Sequence, residues 1–226
     1  MGLKNTVGEG GGGQRALPEE GLTKAICYQV LYIGHHDSTY NGKTTQKPKI
    51  KFAFELPDQT HVFKEENGEQ PFMVSVEHNL YLDEKSNLHK FVKQWDPKMK
   101  LEKGTDVDFE KLLGKPAMIN VVHNTAKNGN TYANIGSVAP LMKGITVEEP
   151  INSLVAYDVD EHEQRMEAFA LLPDWLQKKI GESTEMVAKY GDKVDEAMTP
   201  DLPIGNPSKQ EEPAFAPKDD AEEDAF

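Results

Sequence analysis

The chain has 226 residues, a formal net charge of −13 and a single cysteine. This length allows one domain with extensions, or at most two small domains. The lone Cys27 excludes an intramolecular disulfide and a cysteine-cluster zinc site, and it is predicted to be a small buried hydrophobe. No apolar run approaches the roughly 18 residues of a membrane span, and the polar N-terminus does not resemble a signal peptide. The sequence therefore predicts a cytoplasmic protein.

The negative charge is concentrated in the C-terminal third. Residues 1–146 carry 18 Lys and Arg against 17 Asp and Glu, whereas residues 147–226 carry 7 against 21. The N-terminal body is thus close to neutral, and it can present a local basic face to a polyanion. The net charge alone does not argue against nucleic-acid binding by that body.

The central part of the chain predicts short strands and one helix. Ile50, Phe52, Phe54 and Leu56 alternate with polar residues, as in a half-buried strand, and Asn128-Gly129 is a strong hairpin signal. The predicted strands are residues 24–34, 49–56, 71–82, 116–124 and 131–140; the predicted helix is residues 84–95, with a short helical turn at 108–113.

This order of elements predicts a mainly β fold. A helix between strands 3 and 4 of five is the arrangement of the OB-fold, a five-stranded Greek-key barrel, over residues 17–146. The glycine-rich residues 1–16 are expected to form a flexible arm, because no strand precedes Gly10–Gly13 and no Lys-Ser/Thr follows them as in a phosphate loop. Residues 147–198 are predicted to be a helical extension that packs on the barrel or on a partner, and residues 199–226 a disordered, proline-rich linker with an acidic tail.

A basic stripe gives the candidate binding site. In an OB-fold the ligand crosses the face of strands 2 and 3, between the loops joining strands 1 to 2 and 4 to 5, with aromatics stacking on bases and lysines following phosphates. Lys49 and Lys51 are predicted to point outward from strand 2, while Lys43 and Lys47 are placed in the preceding loop. The candidate DNA-binding residues are Tyr40, Lys43, Lys47, Lys49, Lys51, Lys127 and Tyr132. An ordinary solvated face remains the alternative for the lysines, and core packing remains the alternative for Tyr132, Tyr28 and Tyr32.

Catalytic and metal chemistry are weakly supported. His35 and His36 are adjacent in a strand, so they point to opposite faces, and no third ligand follows at a recognisable spacing. The acidic residues Asp158, Asp160 and Glu161 are interpreted as helix N-terminal caps. No catalytic residue, metal or cofactor is predicted.

The acidic end of the chain is a candidate docking peptide. Carboxylates followed by an aromatic offer a partner a field for steering and one apolar anchor. The candidate docking residues are Asp219, Asp220, Glu222, Glu223, Asp224 and Phe226. A merely solubilising tail is the alternative.

Several segments resemble a family of small bacteriophage replication-associated proteins, and the likeness covers about residues 17–144. They are Leu17–Gly21, Asp83–Leu88, Leu112–Pro116, Thr131–Ile135 and Val138–Pro140. More broadly, a barrel with an acidic tail ending in Phe226 resembles phage and bacterial single-stranded-DNA-binding proteins. That resemblance implies a tail that recruits DNA polymerase, helicase or primase and competes with DNA for the groove, in an infected bacterial cell, with a possible homo-oligomer. The helical segment after residue 150 departs from a minimal protein of this kind.

Three functions are therefore compatible with the sequence. The first is sequence-independent binding of single-stranded DNA in phage replication, recombination or repair. The second is an acidic interaction module or DNA mimic that occupies the nucleic-acid site of an enzyme. The third is a phage nuclease or nucleotide enzyme whose site has no recognisable motif.

Overall fold

The computed structural model describes residues 16–127, 129–191 and 194. The N-terminal arm up to residue 15, the linker and the acidic tail with its candidate docking residues lie outside the described residues. The strands are β1 Gly21–Tyr40, β2 Lys43–His61, β3 Gln70–Asn79, β4 Pro116–Thr125, β5 Thr131–Pro140 and β6 Val155–Asp158. The α-helices are α1 Asn87–Trp95, α2 Met166–Ala170, α3 Asp174–Gly181 and α4 Thr184–Tyr190, and short 3-10 turns lie at Glu65–Asn67, Phe109–Leu112 and Val159–Arg165.

The sheet has the strand order β3-β2-β1-β4-β5, and these neighbours pair antiparallel. Strand β6 pairs in parallel with residues 29–32 of β1, beyond the stretch of β1 that pairs with β4. The mainly β class and the helix between β3 and β4 are confirmed. The sheet is not closed into a barrel by hydrogen bonds, although β3 and β5 approach each other within 8 Å between Cα atoms.

The first two strands are much longer than predicted. They run without interruption to a two-residue turn at Asn41-Gly42, where both residues have positive φ, 48° and 74°. This is the Asn-Gly turn favoured in tight hairpins. The prediction of a loop carrying Lys43 and Lys47 is wrong, because both lysines lie in β2 and pair with β1.

One face of the sheet packs on α1 and forms the first core. Ser86 caps the helix by accepting a hydrogen bond from His89 N at 3.2 Å, so α1 begins three residues later than the predicted segment. Trp95 makes edge-on contacts with the rings of Phe52 and Phe54, and its indole N–H donates to Pro116 O at 3.0 Å. Trp95 is thus a core residue, and the prediction that Cys27 is buried is confirmed, since its free thiol is fully buried.

The opposite face of the sheet is covered by the C-terminal segment. Strand β6, the 3-10 turn at Val159–Arg165 and helices α2 to α4 bury a second apolar core against β1. Its fully or nearly buried members are Leu31, Ile33, Val155, Tyr157, Val159, Phe169, Leu172, Leu176, Ile180 and Met186. Of the two predicted alternatives, packing on the sheet or on a partner, packing on the sheet is observed, whereas β6 was not predicted.

The capping interpretation of the acidic cluster is confirmed for Asp158. Asp158 accepts a hydrogen bond from Asp160 N at 2.9 Å at the start of the 3-10 turn. Among the residues that the structure describes, no helix has the length and apolar content needed to cross a bilayer.

Candidate nucleic-acid interface

The distal half of the β1–β2 hairpin is the most accessible part of the predicted site. Residues 35–48, called the β-arm below, extend past the end of β3, because β3 pairs with β2 only as far as the Lys49–Asn79 pair. Tyr40 and Lys43 face each other across the turn and are both exposed, and Lys47 is partly exposed. The β-arm contains two lysines, Lys43 and Lys47, against one carboxylate, Asp37. This part of the hairpin is therefore locally basic in an acidic chain.

The root of the β-arm is fixed by helix α4. Glu185 accepts hydrogen bonds from His35 N at 2.8 Å and from the Tyr32 hydroxyl at 3.1 Å. Gly34 has φ +89°, and a Cβ at this position would lie 2.6 Å from the Glu185 carboxylate. Burial alone would raise the pKa of Glu185, but its hydrogen bonds from His35 and Tyr32 hold it below its ordinary value. The hydrogen bonds of this carboxylate connect α4 to the base of the β-arm.

The two remaining lysines of the predicted stripe are buried. Lys49 and Lys51 lie on the face opposite the first core, as predicted, but they are only 8% and 2% exposed. Helix α3 covers this face. The expectation that the outer face of β2 and β3 is open to DNA is therefore corrected.

Lys51 belongs to a buried polar cluster. Its ammonium donates to Ser75 Oγ at 2.8 Å and lies 5.3 Å from the centre of the Trp175 ring. Burial lowers the pKa of Lys51 to about 8, and the nearby Glu77 only partly opposes this effect. Burial would also raise the pKa of Glu77, but the surrounding lysines, led by Lys179 at 2.7 Å, hold it below its ordinary value. The Lys179–Glu77 ion pair joins helix α3 to strand β3, so this cluster lies at the contact between the two layers.

A buried carboxylate holds the start of the C-terminal segment on the same face. Glu55 is 1% exposed and accepts hydrogen bonds from the backbone N–H groups of Ile151 and Asn152, both at 2.9 Å. The side-chain amide of Asn152 donates to it as well, at 2.6 Å. Each fully buried aliphatic or aromatic side chain of the second core adds roughly 1.5–3 kcal/mol, so the segment is an integral layer of the fold.

The last two predicted residues lie at the other end of β1. Lys127 is exposed in the β4–β5 turn, and Tyr132 at the start of β5 is half-buried opposite Asn124. Because β4 pairs with the N-terminal half of β1, this turn is separated from the β-arm by the length of that strand. The structure brings Tyr40, Lys43 and Lys47 together and does not bring Lys127 and Tyr132 to them.

Sequence reasoning missed a second basic region. Residues 85–103 contain six lysines and two carboxylates, which is more lysines than the four of the predicted stripe. The amphipathic pattern of α1 directed attention to its apolar face, although a count of charge along the chain would have found the lysines.

The structure offers no metal centre at the adjacent histidines. His36 Nε2 contacts the backbone oxygen of Ile33 at 2.9 Å, while His35 faces Glu185. Within the described ranges, no three His, Cys, Asp or Glu side chains are gathered as a metal site requires.

Comparison with known proteins identifies a family. A family model described as "Protein of unknown function (DUF669)" matches residues 27–150, which is more than half of the chain. The chain belongs to the DUF669 family. No curated protein and no solved structure matches it. The DUF669 match begins within β1 and ends before β6, so it covers the buried residues of the first core except Ala25 and none of the helices of the second.

Proposed function

We propose that this DUF669 protein binds single-stranded DNA without sequence preference, using the β-arm as its main contact. The observation that carries the proposal is the exposure of Tyr40 and Lys43 on a basic ribbon that extends beyond the sheet. Lysines attract phosphates of any sequence, and a tyrosine ring stacks on any base. Such a surface favours an extended, unpaired strand whose bases are accessible.

The fold supports this proposal by its order of elements. The order β3-β2-β1-β4-β5, with α1 between β3 and β4, is that of an OB-fold in which β3 and β5 would be the closing pair. We infer a partly open OB-like Greek key whose customary binding face is occupied by the C-terminal layer. The β-arm corresponds to the connection between strands 1 and 2, which borders the ligand in OB-folds.

The acidic tail adds a recruitment role to the proposal. Asp219, Asp220, Glu222, Glu223, Asp224 and Phe226 would dock on replication or recombination proteins such as a polymerase, helicase or primase. The support is their composition, with five carboxylates beside one aromatic side chain.

The β-arm is tested with the paired substitution Lys43→Gln and Lys47→Gln. Fluorescence anisotropy with labelled oligo-dT is expected to show weaker binding and a flatter dependence of log K on log salt, by about 0.7 for each phosphate that is no longer neutralised by a lysine. The matched control is Lys64→Gln with Lys143→Gln, which removes the same charge from other parts of the surface. Equal salt slopes for the two variants would reject the β-arm as the DNA-binding surface.

The DNA-mimic alternative is favoured by the balance of 7 basic against 21 acidic residues in 147–226. Deletion of residues 211–226 separates it from the first proposal. A DNA-binding protein inhibited by its own tail gains affinity for oligo-dT on deletion. A mimic binds no DNA with or without the tail, and it loses its protein partner when the tail is removed. An enzyme would instead show metal-dependent turnover of nucleic acid or nucleotide.

A further inference from the structure

Helix α1 and the turn that follows it carry a second exposed basic surface. The lysines of this region are separated from the β-arm in sequence, and only two carboxylates, Asp96 and Glu102, lie among them. The α1 basic surface consists of the exposed residues Lys85, Lys90, Lys98, Lys100 and Lys103.

The charge of this surface is not neutralised within the described protein. Lys85, Lys90, Lys100 and Lys103 form no ion pair with any described residue, whereas Lys24, Lys179 and Lys189 each face a carboxylate within 4 Å. Asp96 is engaged by Lys115 and accepts a hydrogen bond from Lys98 N at 3.2 Å. Four exposed ammonium groups of this surface therefore have no carboxylate within 4 Å among the described residues.

The turn after α1 is held in place, so these lysines have a defined position. Lys93 Nζ donates to Met99 O at 2.7 Å, and Met99 N donates to Asp96 O at 3.0 Å. Leu101 is buried in the first core. Because Lys98 and Lys100 alternate with these anchored residues, they are directed to the surface.

The α1 basic surface begins beside the root of the β-arm. Leu80 N donates to Pro48 O at 2.7 Å, which joins the end of β3 to the β-arm. Tyr81 follows with 39% of its surface exposed, and its backbone oxygen accepts a hydrogen bond from Ser86 Oγ at 2.6 Å. The chain therefore places an exposed tyrosine between the β-arm and the start of α1.

We propose that a single DNA strand runs from the β-arm over Tyr81 and along the α1 basic surface. This inference rests on the proposed function and gives the strand a path past the end of β3, because the outer face of β2 and β3 is covered. The β-arm lysines and the α1 lysines contact phosphates at the two ends of the path. The Tyr81 ring stacks on a base between them, an interaction that tolerates every sequence.

The path is tested in the full-length protein with the triple substitution Lys85→Gln, Lys90→Gln and Lys100→Gln. With oligo-dT long enough to span both surfaces, the salt slope is expected to fall by about 2, since each lysine that neutralises a phosphate contributes about 0.7 for single strands. The control, Lys64→Gln, Lys143→Gln and Lys178→Gln, removes equal charge from exposed or partly exposed positions elsewhere. It is expected to keep the slope of the unmodified protein.

A second measurement follows Tyr81 directly. Tyr81→Ala is expected to weaken oligo-dT binding about tenfold, while Tyr81→Phe keeps the ring and most of the affinity. Photo-crosslinking with iodouracil-substituted oligonucleotide should label the peptide that contains Tyr81. A label confined to the β-arm, together with no effect of Tyr81→Ala, would overturn the path.

The outcomes separate this inference from the function on which it rests. If the unmodified protein and its 211–226 deletion both fail to bind oligo-dT at low salt, single-strand binding and the path are both rejected. If binding occurs and the β-arm variant weakens it, but the α1 triple variant behaves as its control, only the extended path is rejected.

Discussion

The ammonium of Lys51 lies 5.3 Å from the centre of the Trp175 ring, so a lysine of strand β2 is covered by an aromatic residue of helix α3. Lys51 also donates to Ser75 Oγ, and little of its side chain reaches solvent. The residue is thus part of the contact between the sheet and the C-terminal layer. Because the site is buried, the protonated form of Lys51 lowers the free energy of unfolding at every pH at which the side chain stays charged.

Replacement of Lys51 by Met should therefore have a pH-dependent effect on stability. The folded pKa of Lys51 is about 8, below its ordinary value of 10.5, so the unfolded state binds more protons between these values. Its contribution to the free energy of unfolding consequently rises with pH from about 8 to 10.5. We expect Lys51→Met to be relatively most favourable near pH 7 and to lose this advantage by pH 10, as measured by urea unfolding at both pH values. A difference between the two proteins that stays constant with pH would contradict a depressed pKa.

Glu55 is expected to hold the start of the C-terminal layer. Glu55→Ala removes the acceptor for Ile151 N and Asn152 N in a buried site, and should cost about 2–4 kcal/mol. Hydrogen exchange read by mass spectrometry should show faster exchange in the peptide containing both amides. Glu55→Gln keeps one acceptor oxygen and serves as the control, with a smaller change. Unaltered exchange in Glu55→Ala would remove the carboxylate from this role.

Gly34 and Gly42 form a matched pair for testing the root of the β-arm. Both have positive φ, +89° and +74°, which disfavours any other residue. A Cβ at Gly34 would lie 2.6 Å from Glu185 Oε2 and 2.7 Å from Ser183 Cβ, while nothing lies within 4 Å of one at Gly42. Gly42→Ala should cost about 1 kcal/mol, and Gly34→Ala clearly more, in thermal or urea unfolding. Equal losses would show that α4 does not pack closely on this strand.

The two tryptophans report separately on the two layers. Trp95 lies in the first core and Trp175 packs against the second, and the chain contains no other tryptophan. In single-tryptophan variants made by Trp→Phe substitution, Leu31→Ala should cost about 2–5 kcal/mol. With Leu31→Ala present, the urea transitions reported by Trp95 alone and by Trp175 alone should remain coincident, because β1 contributes side chains to both cores. Separate transitions would indicate that the C-terminal layer unfolds independently.

Local turn chemistry explains what the sequence could predict about the hairpins. Asn128-Gly129 lies between two apolar runs and correctly predicted the β4–β5 hairpin. Asn41-Gly42 is the same signal, but its flanks are polar, so no alternation of apolar residues indicated strands on either side. The sequence did not indicate the full length of the β1–β2 ribbon, because its distal half is held by backbone hydrogen bonds and has no buried apolar face.

The burial of Lys49 and Lys51 could not be read from alternation. Alternation assigns a side chain to one face of a strand, but it does not say what packs on that face. The useful signal was in β1, where Ala25 to Ile33 form an almost continuous apolar run. Such a run is typical of a strand buried on both faces, and it indicates that a second layer must cover the sheet.

The C-terminal layer limits how far the chain can be shortened from its C-terminal side. The DUF669 match ends at residue 150, while Leu31 and Ile33 are sealed by residues that follow it. A fragment that ends at residue 150 would expose the apolar side chains of Leu31 and Ile33 on its central strand. Exposed apolar patches of this kind promote aggregation. The matched segment thus leaves out the side chains that cover its own central strand, and we expect residues 27–150 alone to be less stable than the longer chain.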